Sequence, residues 1–140
     1  MGIFSKVKEL FDKKPVDSLK QLEESLTKLQ LKNRYEILAL IGTGGRLKGL
    51  PLVYAAEDEN SLKIFTARMT ELLKMIENLS KERILRDFII NFNDSIIFFK
   101  PIIKDISFMA IINENDDIIE IKQFIYKNEQ LIRELLHKDS

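Results

Sequence analysis

The chain has 140 residues, enough for one domain with a real core and too few for two comfortable ones. Its 22 Lys and Arg balance 22 Asp and Glu, so no bulk field draws in nucleic acid; 45% hydrophobic and 31% charged residues exclude a disordered composition. The lack of Cys excludes disulfides, thiolate metal sites and a Cys nucleophile, and no apolar run approaches the roughly 20 residues of a membrane span.

Residues 1–14, MGIFSKVKELFDKK, read as a short amphipathic segment closed by Pro15. Ile3, Phe4, Val7, Leu10 and Phe11 share one face, and four lysines decorate the rest. That face suits a partner or a weak membrane contact, or packs on its own domain. The chain divides into this segment, 1–16, and one domain, 17–138. A myristoylation signal wants Ser or Thr where Lys6 stands.

Residues 17–32 read as a helix. Ser18 with Gln21 makes a capping box, and Leu19, Leu22, Leu26 and Leu29 form a narrow seam. Two heptads are too few for a coiled coil, so the seam packs on a sheet. Residues 35–42, YEILALIG, are apolar on both faces, which marks a central strand. A basic, glycine-rich loop, 43–49, leads to a returning strand, 50–56, with Pro51 at its start. Arg46 and Lys48 on that loop are candidate contacts for an acidic partner.

A helix over 61–80, capped by Asp58 or Asn60, is apolar over more of its circumference than one sheet face needs. Leu62, Phe65, Met69, Leu72, Leu73, Ile76 and Leu79 make the main stripe. Ile64 and Met75 fall beside it, on the ridge that carries Arg68 and Glu71. That flank has two readings, an interface with a second subunit or partner, or ordinary exposed apolar residues.

Three strands follow, at 84–92, 95–103 and 106–112, as a meander. In the first, Ile84, Arg86, Phe88, Ile90 and Phe92 face one way, and Leu85, Asp87, Ile89 and Asn91 the other; its polar admixture suggests an edge. The second and third are apolar on both faces and therefore central, the second as far as Lys100. A last helix is capped by Asp117 with Glu120 and striped by Ile118, Ile121, Phe124, Ile125, Leu131, Ile132, Leu135 and Leu136. Asn128, inside that stripe, finds a backbone partner. The order of elements gives a three-layer α/β (α+β) sandwich around one five-stranded antiparallel sheet.

No catalytic constellation emerges. GTGGRLKG places Leu47 where a dinucleotide fingerprint needs its third glycine, and Lys48 precedes Gly49 and a strand rather than Ser or Thr and a helix. A hairpin loop using Gly for positive φ accounts for it. The one histidine, His137, lies near the end, and no carboxylate spacing defines a metal site. The chain reads as non-enzymatic, without cofactor or metal.

ILALIGTGGRLKGLPLVYAA, SLKIFTARMTELLKMIENLS and DFIINFNDSIIFFKPIIKDISFMAIIN, with the closing helix, resemble the Roadblock/dynein-light-chain family, a longin/profilin-like fold, over most of residues 18–136. The return Gly49, Leu50, Pro51, Leu52 fits that family; the loop 43–49 is longer than its usual turn, and 1–14 lies outside its core. The resemblance implies strand order 2-1-5-4-3, with one helix on one face and two on the other. It also implies a homodimer, or a heterodimer with a paralogous chain, in which third strands meet edge to edge and middle helices pack together. Here those are 84–92 and 61–80. The implied interface is Ile64, Arg68 and Met75 with Leu85, Asp87, Ile89 and Asn91, and the implied role is an adaptor, scaffold or regulator of a small Ras-like GTPase. The alternatives are a longin-like trafficking module tethered by residues 1–14, or a structural subunit of a larger complex. The lack of Cys and of a secretory signal points to the cytoplasm, with peripheral membrane contact through 1–14.

Overall fold

The computed structural model describes residues 18–113 and 115–139, so the amphipathic segment 1–14 lies outside the described residues. The elements are α1 (Leu19–Asn33), β1 (Ile37–Gly42), a 3-10 turn (Gly45–Leu47), β2 (Pro51–Ala56), α2 (Glu59–Glu77), β3 (Phe88–Asn91), β4 (Ile96–Ile103), β5 (Ile106–Ile112) and α3 (Asn115–Asp139). The five strands form one antiparallel sheet in the order β2-β1-β5-β4-β3. This is the expected α+β sandwich and the expected strand order.

Strand alternation sorts the core into two layers. On one face Leu38, Leu40, Phe98, Phe108, Ala110 and Ile112 pack against Leu22 and Leu26 of α1 and against Ile121, Ile125, Ile132, Leu135 and Leu136 of α3. On the other, Ile37, Ala39, Ile41, Ile97, Phe99, Met109 and Ile111 pack against Leu62, Met69 and Leu73 of α2. β1 and β5 are buried throughout, which is why they read as unbroken apolar runs.

Local chemistry sets the ends. Ser18 Oγ accepts from the Gln21 amide at 3.1 Å and opens α1. Arg34, at φ 56°, closes it in the left-handed region. Gly45 and Gly49 supply the positive φ the β1–β2 loop requires. Gly42 is required for a different reason: a Cβ there would collide with the Leu47 carbonyl. Asn128 Nδ2 donates to the Phe124 carbonyl at 2.8 Å, as its place in the stripe requires.

Several expectations are corrected. The strand 84–92 is ordered as β3 only over Phe88–Asn91. Continuing its register would set 84–87 against the far end of β4, where Pro101 has no N–H and the ladder shifts between Pro101 and Ile103. Ile84 is consequently 97% exposed, and Phe92, beyond the other end of β3, is exposed too. Leu85 packs at the margin of the α2-side core, opposite to its expected face. α2 ends at Glu77, and Leu79, expected in its core stripe, is 83% exposed. The strand expected from residue 35 starts at Ile37. Because α3 begins at Asn115, Asp117 lies inside the helix rather than at its cap. Asp117 and Glu120 instead face the Tyr35 hydroxyl at 3.1 and 3.0 Å. Burial first, then these two carboxylates, push the Tyr35 hydroxyl well above the usual phenol range.

Candidate functional site: the outer ridge of α2 and the β3 edge

Two carboxylate bonds start α2: Asp58 accepts from the Asn60 and Ser61 amides at 3.2 and 3.3 Å. Ser61 Oγ then donates to Glu36 at 2.9 Å. Thr66 and Thr70, both buried, bond back to the carbonyls of Leu62 and Thr66 at 2.7 Å, and Thr70 also reaches the Gly42 carbonyl at 3.4 Å. These contacts seat the helix on β1 and fix which ridge faces outward. Neither threonine belonged to the expected stripe. A hydroxyl that returns its hydrogen bond to the preceding turn is compatible with burial, and that is the signal that could have found them.

The outward ridge carries Ile64, Arg68, Glu71 and Met75 at three- and four-residue spacing. Ile64 is 48% exposed and Met75 67%, while Arg68 and Glu71 are exposed. At the C-terminal half of α2 the ridge borders a cleft of about 590 Å³ against the β1–β2 loop. Thr43, Gly44, Gly45 and Lys48 form its loop side; Glu71, Lys74 and Met75 form its helix side. The structure thus brings Lys48 and Met75 into one cleft, with Arg46 exposed on the loop outside that lining.

Among the described residues β3 is the last strand of the sheet and pairs on one side only, with β4. Stacked Phe88 and Phe99 rings, 5.0 Å apart, anchor it. Ile89 and Asn91 are exposed on the α3 side, in register with Phe98 and Ile96. Asp87 accepts from the Tyr126 hydroxyl of α3. Burial, followed by this bond, pushes Tyr126 up to about 12. The seven expected interface residues therefore form two groups, the α2 ridge and the β3 edge, with Leu85 drawn inward.

Among the described residues, no group of three or more His, Asp or Glu could hold a metal ion, and no helix is long and apolar enough to cross a membrane. The site combines an apolar-centred ridge, a cleft beside it and a strand edge that is paired on one side among the described residues.

This is the arrangement of a Roadblock/LC7 fold. MglB of Myxococcus xanthus superposes with a TM-score of 0.69 over 84% of this chain and 96% of its own, at 8% identity. The gliding protein MglB of Thermus thermophilus gives 0.68 over 88% and 94%, at 9% identity. A Roadblock/LC7 domain from Streptomyces avermitilis gives 0.51 over 58% and 68%, at 10% identity. No family model and no curated protein matches the sequence. At such identities it is the fold that is shared.

Proposed function

We propose that the chain is a non-enzymatic, dimeric adaptor that binds or scaffolds a small Ras-like GTPase. The observation that carries this reading is the coincidence, among the described residues, of an exposed apolar ridge, Ile64 and Met75, and a strand edge paired on one side, in a chain that shares its fold with MglB. In the dimer, β3 edges pair through their free backbone groups and α2 ridges pack beside each other. Ile64 and Met75 supply the apolar area, and Arg68, Asp87, Ile89 and Asn91 the rim. The GTPase is held on the surface the two copies make together, and Arg46 and Lys48 meet acidic groups of that partner. The fold family suggested by the sequence and the likeness to MglB support this assignment; the dimer and the partner are its testable content.

Sedimentation at micromolar concentration is expected to show a dimer. Met75→Glu sets a charge where an apolar contact is needed and is expected to weaken self-association by about tenfold or more. A monomer at that concentration, or a Met75→Glu variant that dimerises like the parent, defeats the dimer. Purified Ras-like GTPases loaded with GTP or GDP are expected to be captured with a preference for one state. Equal and negligible capture of both defeats the adaptor role.

A further inference from the structure

A second cleft, about 1030 Å³, opens on the α3 side of the molecule, where the segment between α2 and β3 leaves the far end of β4. Its charge is unlike that of the chain as a whole. Lys81, Arg83 and Arg86 come from the α2–β3 segment, Lys100 from β4, Lys104 from the β4–β5 turn and Arg133 from α3. Among the described residues two carboxylates, Glu77 and Glu129, line the same space. Lys81 and Arg83 complement the C-terminal end of α2, an ordinary use of cations. The other four converge from different elements, which helix dipoles do not explain.

The one inward carboxylate is already engaged. Glu129 is 3.3 Å from Lys100 Nζ and 2.7 Å from Arg133, so one negative charge serves two cations. Lys100 is held in the wall by that contact, by the Arg86 carbonyl at 3.5 Å and by the Tyr126 ring face at 4.7 Å. Arg83 donates to the Ser80 hydroxyl at 3.2 Å. Among the described residues, Lys81, Arg86 and Lys104 have no ion pair. In a chain of zero formal net charge, such a concentration is a local field. Arg83 and Arg86 present planar forks suited to phosphate oxygens, while Arg133 commits its Nε and one Nη to Glu129. Ile84, Leu85 and Ile102 add apolar wall between the cations.

We infer that this cleft binds a compact ligand bearing several phosphate groups, either free in solution or as the headgroup of a lipid. One carboxylate would engage one or two of the cations and leave the others facing each other across the cleft. Several phosphates on a small scaffold match their number and spread. The cleft adjoins the one beside the α2 ridge at Glu77 and Asn78, and its occupancy does not depend on the adaptor reading.

The test uses the full chain and two probes, inositol hexakisphosphate followed calorimetrically, and vesicles of phosphatidylcholine with and without phosphatidylinositol bisphosphate. Saturable binding of the soluble probe that weakens with added salt is expected. Arg86→Glu with Lys104→Glu is expected to weaken it by about tenfold or more. Lys20→Glu with Lys28→Glu, the same charge change on the exposed face of α1 over β1 and β2, is expected to alter it by less than about threefold. Circular dichroism checks that both variants fold, and Arg86→Gln with Lys104→Gln gives the same direction without a new charge. Vesicle capture that needs the bisphosphate lipid and is lost in the cleft variants assigns a lipid source; binding of the soluble probe alone assigns a free one. No saturable binding of either probe, or equal losses in the two charge-reversed variants, overturns the site.

Discussion

Glu129→Gln tests the account of the buried charges most directly. The Lys100 side chain is 6% exposed and that of Glu129 17%, with 3.3 Å between their charged atoms. At an effective dielectric of about 20, that attraction is about 5 kcal/mol. The amide still accepts a hydrogen bond, and the Arg86 carbonyl and Tyr126 ring remain beside the ammonium. The expected net loss is therefore about 3 kcal/mol, because the variant leaves a buried charge without its counter-ion. Lys100→Met differs. It removes the ammonium together with its desolvation cost, and Glu129 keeps Arg133 at 2.7 Å on the cleft side. Its expected cost is about 1 kcal/mol. The double variant is then expected to be more stable than Glu129→Gln alone, since the stranded charge has gone. Urea unfolding measures all three, and the melting midpoint of Glu129→Gln is expected to fall by about 10 °C. A Lys100→Met variant less stable than Glu129→Gln, or costs that simply add in the double variant, refutes the reasoning.

Other consequences are as direct. Gly42→Ala places a methyl group against the Leu47 carbonyl at the mouth of the β1–β2 loop, and urea unfolding is expected to show a loss of more than about 2 kcal/mol. Asp58→Ala leaves the Asn60 and Ser61 amides uncapped and is expected to cost about 1 kcal/mol, with Asp58→Asn recovering most of it. Tyr126 and Tyr35 both have phenols raised above the ordinary value of about 10. Their contribution to stability is therefore complete below that value. It is lost as pH rises from there through about 12 for Tyr126, because the unfolded chain ionises first. Tyr126→Phe is expected to flatten the fall of the urea midpoint across that alkaline window, and an unchanged slope contradicts the shift.

Sequence alone determined the features whose cause is local. Alternating or unbroken apolar runs gave β1, β4 and β5 their central places, since a strand covered on both faces must be apolar on both. Helical spacing separated the inward stripe of α2 from the ridge with Ile64, Arg68 and Met75. Ser18 and Asp58 announced their helices because a cap needs only the next turn. The strand order came from family resemblance, since many pairings satisfy the same alternation. Tertiary structure decided whatever depends on distant neighbours. Whether residues 84–87 could extend an edge strand turned on Pro101, a residue of the strand they would have joined. Burial of Lys100 was decided by Glu129 and Tyr126 on a helix that crosses above it. Asp117 and Glu120 resembled a cap and became acceptors for Tyr35, more than eighty residues away. The basic cleft had no signature along the chain, because its cations lie on four segments that only the folded sheet brings to one end. Periodicity and capping act within a few residues of sequence, whereas charge clusters and open edges are set by which segments become neighbours in space.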